Sequence, residues 1–385
     1  MRKAIPYGRQ HITEADIQAV NEVLVADYLT TGPKVKLFEE KFAAYVGSKY
    51  AVAVANGTAA LHLCALALEV NENSKVITTP ITFSASANCI RYCGGQVVFS
   101  DIDPESIVLD IHKARRLLES VPKGTYQGII PVDFAGYPVD MEAFRQLADE
   151  FGLWIIEDSC HAPGGYFTDS QGEKQHSGNG AFADLAIFSF HPVKHIACGE
   201  GGMITTNNPN LYKKLIQLRS HGMVYQGDPN LQENHGGWYM ELQDLGYNYR
   251  IPDILCALGI SQLDRAEEGL ARRRAIAKKY DQAFASTQVQ THIPPEQVGH
   301  AYHLYVIEVA NRKELYDALR KDQIYAQIHY VPVHMMPYYQ RLGNKKGDMP
   351  IAEAYYERCL SLPMYPTLSD EEQDFVIEKV LEYAR

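Results

Sequence analysis

The sequence predicts an α/β fold in which helices sandwich a mostly parallel sheet, followed by a smaller C-terminal α+β domain. Short apolar strands alternate with helical segments through the first two thirds of the 385 residues, which is typical of a parallel sheet. The last third changes to longer, charge-rich helices with fewer strands. The apolar fraction of 46% is sufficient for a sizeable core.

The elements of the first two thirds follow from the period of the apolar residues. Helical periodicity predicts three helices, the last opened by Asp140: residues 57–68, 84–92 and 140–150. Short apolar runs predict strands at residues 51–55, 76–79, 96–99, 128–132, 153–156 and 183–190, with a further strand starting at Gly202. This alternation places helices on both faces of one sheet.

The last third predicts a different organisation. Residues 252–286 have the pattern of one long, solvated connecting helix that can bend. Strands are expected at residues 303–309 and 325–329, with a helix between them, and helices at 351–360 and 370–383. We therefore expect an N-terminal segment (1–15), a large domain (16–264) and a small C-terminal domain (265–385).

Charge and composition exclude several classes of protein. The net charge of -11 argues against nucleic acid as a partner, because phosphate binding needs basic surface. No apolar run approaches the ~20 residues of a membrane span, and the first ten residues lack the apolar stretch of a signal peptide. The seven scattered cysteines indicate reduced thiols without a zinc site. We expect a cytoplasmic protein with neither a membrane nor a metal partner.

Two polar side chains follow buried strands and indicate the chemistry. Lys194 comes shortly after the 183–190 strand, and Asp158 closes the 153–156 run. Ligands collect at the carboxyl ends of strands in open α/β sheets. A lysine held away from water becomes a nucleophilic amine, and pyridoxal phosphate (PLP) needs such an amine and a carboxylate against its ring nitrogen. Taken singly, each residue could be an ordinary surface lysine or a helix cap.

A third polar group lies where another strand turns into a helix. Asn56, Gly57 and Thr58 occupy that junction, where free backbone N–H groups and the helix dipole favour a phosphate. An ordinary helix cap explains the same residues. The hydroxyl of Ser189, at the end of the 183–190 strand, adds a further donor.

Several longer motifs together resemble the DegT/DnrJ/EryC1/StrS family of PLP-dependent nucleotide-sugar aminotransferases over nearly the whole chain. The motifs are residues 29–33, 79–83, 158–161, 189–194, 199–202, 220–222, 246–250 and 329–334. The resemblance implies the PLP-dependent transferase fold type I, which is aspartate aminotransferase-like. Residues 189–191 and 329–332 look most like the branch that makes pseudaminic acid precursors.

The resemblance also implies roles for individual residues. Lys194 would bond covalently to PLP and move protons, and Asp158 would pair with the pyridinium nitrogen. His161 would hydrogen-bond the 3-hydroxyl of the ring, a place often filled by Gln in relatives. Gly57, Thr58 and Ser189 would contact the phosphate. Phe83 would lie over the ring. Substrate contacts would come from Thr31, His329 and Tyr330. Asn248 would reach the phosphate of the PLP bound in the neighbouring subunit, so a homodimer with shared active sites is expected.

The expected activity is transfer of an amino group, with glutamate as the donor, to the 4-keto carbon of UDP-2-acetamido-2,6-dideoxy-hexos-4-ulose. The alternative is another 3- or 4-keto sugar linked to dTDP, UDP or GDP. Transamination of amino acids, elimination, or a PLP-binding regulator are further hypotheses. Family members that are dehydratases carry histidine in place of Lys194.

The positions of the glycines argue against a sugar dehydrogenase. It would need a glycine fingerprint in the first strand–helix turn, and residues 7–11 contain none. The G-x-G-x-x-A pattern at residues 178–183 precedes a predicted strand rather than a helix, and no strand is predicted before it.

Overall fold

The computed structural model describes residues 4–225, 227, 231–232 and 235–384. The helices are α1 (Glu14–Leu24), α2 (Pro33–Val46), α3 (Gly57–Ala67), α4 (Ala85–Tyr92), α5 (Ile111–Glu119), α6 (Met141–Phe151), α7 (Pro209–Arg219), α8 (Asp253–Leu263), α9 (Ala266–Phe284), α10 (Arg312–Lys321), α11 (Pro337–Gln340), α12 (Pro350–Arg358) and α13 (Asp370–Tyr383). Two short 3-10 turns occur at Phe134–Gly136 and Val333–Met335.

The strands are β1 (Ile5–Pro6), β2 (Tyr50–Val54), β3 (Lys75–Thr78), β4 (Gln96–Phe99), β5 (Gly128–Ile130), β6 (Trp154–Asp158), β7 (Tyr166–Thr168), β8 (Lys174–His176), β9 (Leu185–Ser189), β10 (Gly202–Thr206), β11 (Met223–Tyr225), β12 (Met240–Leu242), β13 (Gln290–Thr291), β14 (Val298–Gly299), β15 (Tyr305–Glu308), β16 (Ile324–Tyr325) and β17 (Cys359–Leu362).

A seven-stranded sheet forms the centre, in the order β2-β10-β9-β6-β5-β3-β4. The strands β4, β3, β5, β6 and β9 pair in parallel, whereas β10 runs antiparallel to both β9 and β2. The predicted α/β fold with a mostly parallel sheet is confirmed. Because β6 and β9 are parallel neighbours, their carboxyl ends meet at one edge of the sheet.

Alternating side chains along each strand bury both faces of the sheet under helices. Val52 and Val54 pack with α3, α4 and α7, whereas Ala51 and Ala53 pack with α2 and α8. Helices α5 and α6 cover the same face as α2, over the β3, β5 and β6 strands. In the part of the chain that the structure describes, no helix combines the length and apolarity that crossing a membrane requires.

The C-terminal third builds a separate core around the antiparallel sheet β13-β15-β17, with α9, α10 and α13 packed against it. The N-terminal strand joins this end of the molecule, because Ile5 pairs with Ile324 in parallel register. Helix α8 ends at Leu263 and α9 begins at Ala266. The division into domains at residue 265 stays a prediction.

Five expectations for individual elements were wrong. The single helix over 252–286 is two helices, with Arg265 at the break held by an ion pair of 2.6 Å to the buried Asp16. It is not fully solvated either, because Arg273 is only 1% exposed. The strand at 325–329 is the two-residue β16, and the helix from 351 stops at Arg358 where β17 begins. The short β8 does precede the 178–183 pattern, but β9 and not a helix follows it.

Candidate active site

A cavity of about 740 Å³ opens where β6 and β9 end. It lies at the edge of the sheet where ligands collect in folds of this class. Nine of the eleven site residues predicted from the sequence line this cavity: Gly57, Thr58, Phe83, Asp158, His161, Ser189, Lys194, His329 and Tyr330. The fold therefore brings together side chains that are far apart in the chain.

Lys194 lies in a tight turn after β9, in which its N–H donates to the carbonyl of His191 at 2.8 Å. Its Nζ reaches into the cavity and lies 3.4 Å from Nε2 of His303. Burial lowers the pKa of the Lys194 amine to about 8, from an ordinary value of 10.5. At pH 7 roughly a tenth of such amines are neutral, against about one in 3,000 for an ordinary lysine. The neutral form is the nucleophile.

Asp158 is the last residue of β6 and is 5% exposed. The hydroxyl of Ser86 donates to its Oδ2 at 2.6 Å, and the N–H of Cys160 donates to its Oδ1 at 3.2 Å. These donors fix the orientation of the carboxylate. Carboxylate oxygens can accept more than one hydrogen bond each, so Asp158 keeps capacity for a cationic ring nitrogen.

His161 has a tautomer that its neighbours define. Its Nδ1 accepts the backbone N–H of Ala135 at 3.2 Å, so the proton of the neutral ring is on Nε2. Burial, followed by the charge of Lys194, holds the pKa of His161 well below its usual range. The Nε2–H points toward the hydroxyl of Tyr330 at 3.4 Å. A neutral donor at this place suits a phenolic oxygen on a bound ring.

The amino end of α3 forms a cradle for an anion. Asn56 caps the helix by accepting the N–H of Ala59. The N–H groups before Ala59 in the first turn have no partner within the helix and can bind an anion. A Cβ added to Gly57 would lie 3.0 Å from Cβ of Ser189 and 3.5 Å from Sγ of Cys160. The absence of a side chain at Gly57 therefore keeps the space between the helix end and the Ser189 hydroxyl open.

The residues of the cavity fit PLP. An amine of lowered pKa, a fixed carboxylate and an anion cradle are the three groups that this cofactor needs. Phe83 is 61% exposed and its ring centroid lies 6.4 Å from that of Tyr330, so the two rings border one side of the cavity. His329 is oriented by a 2.8 Å hydrogen bond between its Nδ1 and the hydroxyl of Ser361.

Two of the singled-out residues lie outside this cavity lining. Thr31 has a positive φ of 55°, and the carboxylate of Asp253 accepts the next N–H, from Gly32, at 2.8 Å. Asn248 is exposed and forms an isolated bridge with Ser220. Their roles in binding substrate and a neighbouring subunit's cofactor stay predictions.

Sequence reasoning missed several residues of the site. Ser86 appeared only as part of a helix, and His303 only as the start of a strand, although both contact the central pair. Tyr7, far away in the N-terminal segment, reaches the cavity and packs against His329 with ring centroids 5.2 Å apart. No local pattern indicates these contacts, because each depends on long-range packing.

Comparison with known proteins shows the family of the chain. The DegT/DnrJ/EryC1/StrS aminotransferase family matches residues 10–381. Spore coat polysaccharide biosynthesis protein SpsC of Bacillus subtilis (strain 168) is 40% identical over 387 residues, which cover 98% of this chain and 96% of SpsC. These matches span both the central sheet and the C-terminal third.

Solved structures are similar over the same extent. The PLP form of Spr1654 from Streptococcus pneumoniae, assigned as a sugar aminotransferase, superposes with a TM-score of 0.89 at 30% identity, covering 99% of this chain and 98% of that one. A PMP form of Spr1654 superposes equally well, with a TM-score of 0.89. Helicobacter pylori PseC, an aminotransferase involved in the biosynthesis of pseudoaminic acid, gives 0.87 at 31% identity, covering 99% of both chains. The chain belongs to the DegT/DnrJ/EryC1/StrS family of PLP-dependent sugar aminotransferases.

Proposed function

We propose that this enzyme transfers an amino group from glutamate to the 4-keto carbon of a UDP-linked 4-keto-6-deoxy-N-acetylhexosamine, a precursor of pseudaminic acid. The observation that carries the aminotransfer is the placement of Lys194 and Asp158 in one cavity, with Asp158 at the end of β6 and Lys194 in the turn that follows β9. The similarity to PseC over the whole chain supports the choice of sugar.

PLP supplies an aldehyde that condenses with amines and a ring that accepts electrons. The protein supplies the rest. Lys194, as a neutral amine, removes and returns a proton at the carbon that carries the amino group, and its tether keeps it next to that carbon. Asp158 would hold a positive charge on the ring nitrogen, and His161 would donate its Nε2–H to the ring oxygen. Gly57, with its neighbours at the amino end of α3, would bind the phosphate.

The alternative is another keto-sugar, with a different nucleotide or a 3-keto carbon. The 40% identity to SpsC, a protein of spore coat polysaccharide biosynthesis, exceeds the 31% identity to PseC and is the reason to test this alternative beside the proposed sugar. We therefore propose a panel of UDP-, dTDP- and GDP-linked 3- and 4-keto sugars, each offered with glutamate and with aspartate as the control donor. Mass spectrometry of the amino sugar identifies the product. Exclusive amination of a dTDP- or GDP-linked sugar would reject the pseudaminic acid proposal.

The Lys194→Ala variant tests the central assignment. We expect no multiple-turnover amination, because the variant lacks the amine that bonds the cofactor and moves the proton. The Lys34→Ala variant removes an amine outside the cavity lining and should retain turnover. Borohydride reduction should trap cofactor on the wild-type enzyme at the peptide that contains Lys194, and trapping elsewhere would overturn the assignment.

We also propose a homodimer whose subunits share active sites. The hairpin of β11 and β12 carries exposed apolar side chains, including Met240 (50% exposed) and Leu242 (65% exposed), and Asn248 follows it in the chain. A second copy of the chain is the partner that would cover this surface and bring Asn248 to another cavity. Mixing inactive Lys194→Ala protein with impaired Asn248→Ala protein tests sharing, because a mixed dimer regains one intact site. Mixed dimers without any recovery of activity would contradict it.

A further inference from the structure

The imidazole of His303 contacts the amine of Lys194, and two further imidazoles pack near that of His303, with ring centroids 4.2 Å (His161) and 5.9 Å (His195) away. Both of these neighbouring rings have a fixed tautomer. His161 accepts a backbone N–H at Nδ1, so its proton is on Nε2. His195 lies 2.8 Å from the carbonyl of Ala301 through its Nε2, and a carbonyl can only accept, so its proton is also on Nε2. Backbone groups thus determine both rings.

His303 differs from both. Its Nε2 lies 3.4 Å from Nζ of Lys194, and an amine can either donate or accept according to its charge. Its Nδ1 is buried and has no hydrogen-bond partner among the residues that the structure describes. No backbone group therefore selects one tautomer of His303 over the other.

The backbone that carries this ring is held by a buried arginine. Arg273, 1% exposed, donates through one nitrogen to three carbonyls: Tyr302 at 3.1 Å, His303 at 3.3 Å and Met364 at 3.0 Å. Within the described chain it forms no ion pair with a carboxylate, so its guanidinium serves to hold backbone. These three hydrogen bonds from Arg273 stabilise the turn at Tyr302, where φ is 49°. His303 is thereby held against the amine.

We propose that His303 is a positioning residue that follows the proton of Lys194: its Nε2 accepts from the ammonium and, as the other tautomer, donates to the neutral amine. In this change the lysine proton moves to Nε2 and the proton on Nδ1 leaves to water, so the pair loses one proton. The amine keeps one direction in both of its charge states. The inference rests on the proposed role of Lys194 as the lysine that binds PLP.

Other charged and titratable groups act on the same amine. Burial is the largest cause of the lowered pKa of Lys194. Among its neighbours, Cys160 and Asp158 raise this pKa, whereas Arg273 lowers it further. Burial also holds the pKa of His303 well below its usual range, with further lowering from Lys194, His161, His195 and Arg273. The imidazole is therefore neutral while the amine titrates, as a change of tautomer requires.

The first test uses the wild-type apoenzyme with ¹⁵N-labelled histidine rings. The ring resonances are recorded by NMR at about pH 6.5 and about pH 9.5, on either side of the Lys194 pKa of about 8. We expect the His303 ring, assigned with the His303→Gln variant, to exchange its Nδ1–H tautomer for the Nε2–H tautomer. The His161 and His195 rings should keep one tautomer throughout. A constant tautomer of His303 would overturn the proposal.

The second test measures the pH at which Lys194 in the apoenzyme is half-labelled by trace acetic anhydride, with the exposed Lys36 as internal reference. His303→Phe should lower this pH by about one unit, because the hydrogen bond that the charged ammonium loses is stronger than the one that the neutral amine loses. His303→Gln should restore at least half of the shift, since an amide can accept and donate. The matched control His334→Gln changes a fully buried imidazole elsewhere and should shift nothing.

An unchanged or raised half-labelling pH in folded His303→Phe, or equal shifts in His303→Phe and His303→Gln, would overturn the proposal. Both tests use apoenzyme, so their outcome does not depend on which sugar is aminated. If Lys194→Ala retained turnover, the proposed function would fail while these titrations would still report on His303.

Discussion

The Gly57→Ala variant gives the sharpest test of the anion cradle. Gly57 is the first residue of α3 and its φ is not positive, so alanine suits the helix. The added methyl group would lie 3.4 Å from Oγ of Ser189, in the space through which this hydroxyl would reach a phosphate oxygen. Loss of one hydrogen bond to a charged group costs about 1.5–3 kcal/mol. The Kd for PLP should therefore rise roughly 10- to 150-fold.

Titration of the apoenzyme with PLP, followed by absorbance or by quenching of protein fluorescence, measures this Kd directly. The matched control is Gly269→Ala, where the added methyl group has only Pro366 Cγ at 3.6 Å as a neighbour. That variant should bind PLP as the wild type does and should gain up to about 1 kcal/mol of stability, because Gly269 lies inside α9. A folded Gly57→Ala enzyme that binds PLP with wild-type affinity would refute the assignment of the cradle.

Three further predictions concern the central pair. Asp158→Asn should slow both half-reactions by roughly 10²–10³ while the fold persists, measured by stopped-flow absorbance with glutamate; near wild-type rates would remove its role at the ring nitrogen. Ser86→Ala should lower the free energy of unfolding by about 1.5–3 kcal/mol in urea titrations, since Asp158 loses its 2.6 Å donor; unchanged stability would mean that this bond contributes nothing. Burial lowers the pKa of Lys194 to about 8, so uptake of PLP by the apoenzyme should accelerate up to about pH 8 and then level off. A rate that rises steeply past pH 10 would contradict that pKa.

Several elements that depend on near neighbours in the chain were predicted correctly. The strands that end at Asp158 and Ser189 begin with apolar runs, at 154–156 and 185–188, as buried parallel strands do, and α13 begins and ends where its apolar period does. Residues at the ends of such strands must meet at one edge of the sheet. The cavity around Lys194 was therefore within reach of sequence reasoning.

The contacts that were missed depend on packing between distant segments. Ser86 reaches Asp158 across the sheet edge, and nothing next to it in the chain indicates this. Arg273 reads as part of a charged, solvated helix, but three backbone carbonyls replace water around its guanidinium. A strand of two residues such as β16 is too short to show an alternation of apolar and polar residues, so its length could not be predicted from the sequence.

The pairing of Ile5 with Ile324 has a consequence for how the chain is made. Translation proceeds at ~5–20 residues per second, so this first strand waits roughly 15 to 60 seconds for its partner to be synthesised. Until then Ile5, 1% exposed in the finished molecule, belongs to a bare strand that other nascent chains can capture. Chaperone demand during synthesis should therefore depend on how quickly the ribosome completes the last third.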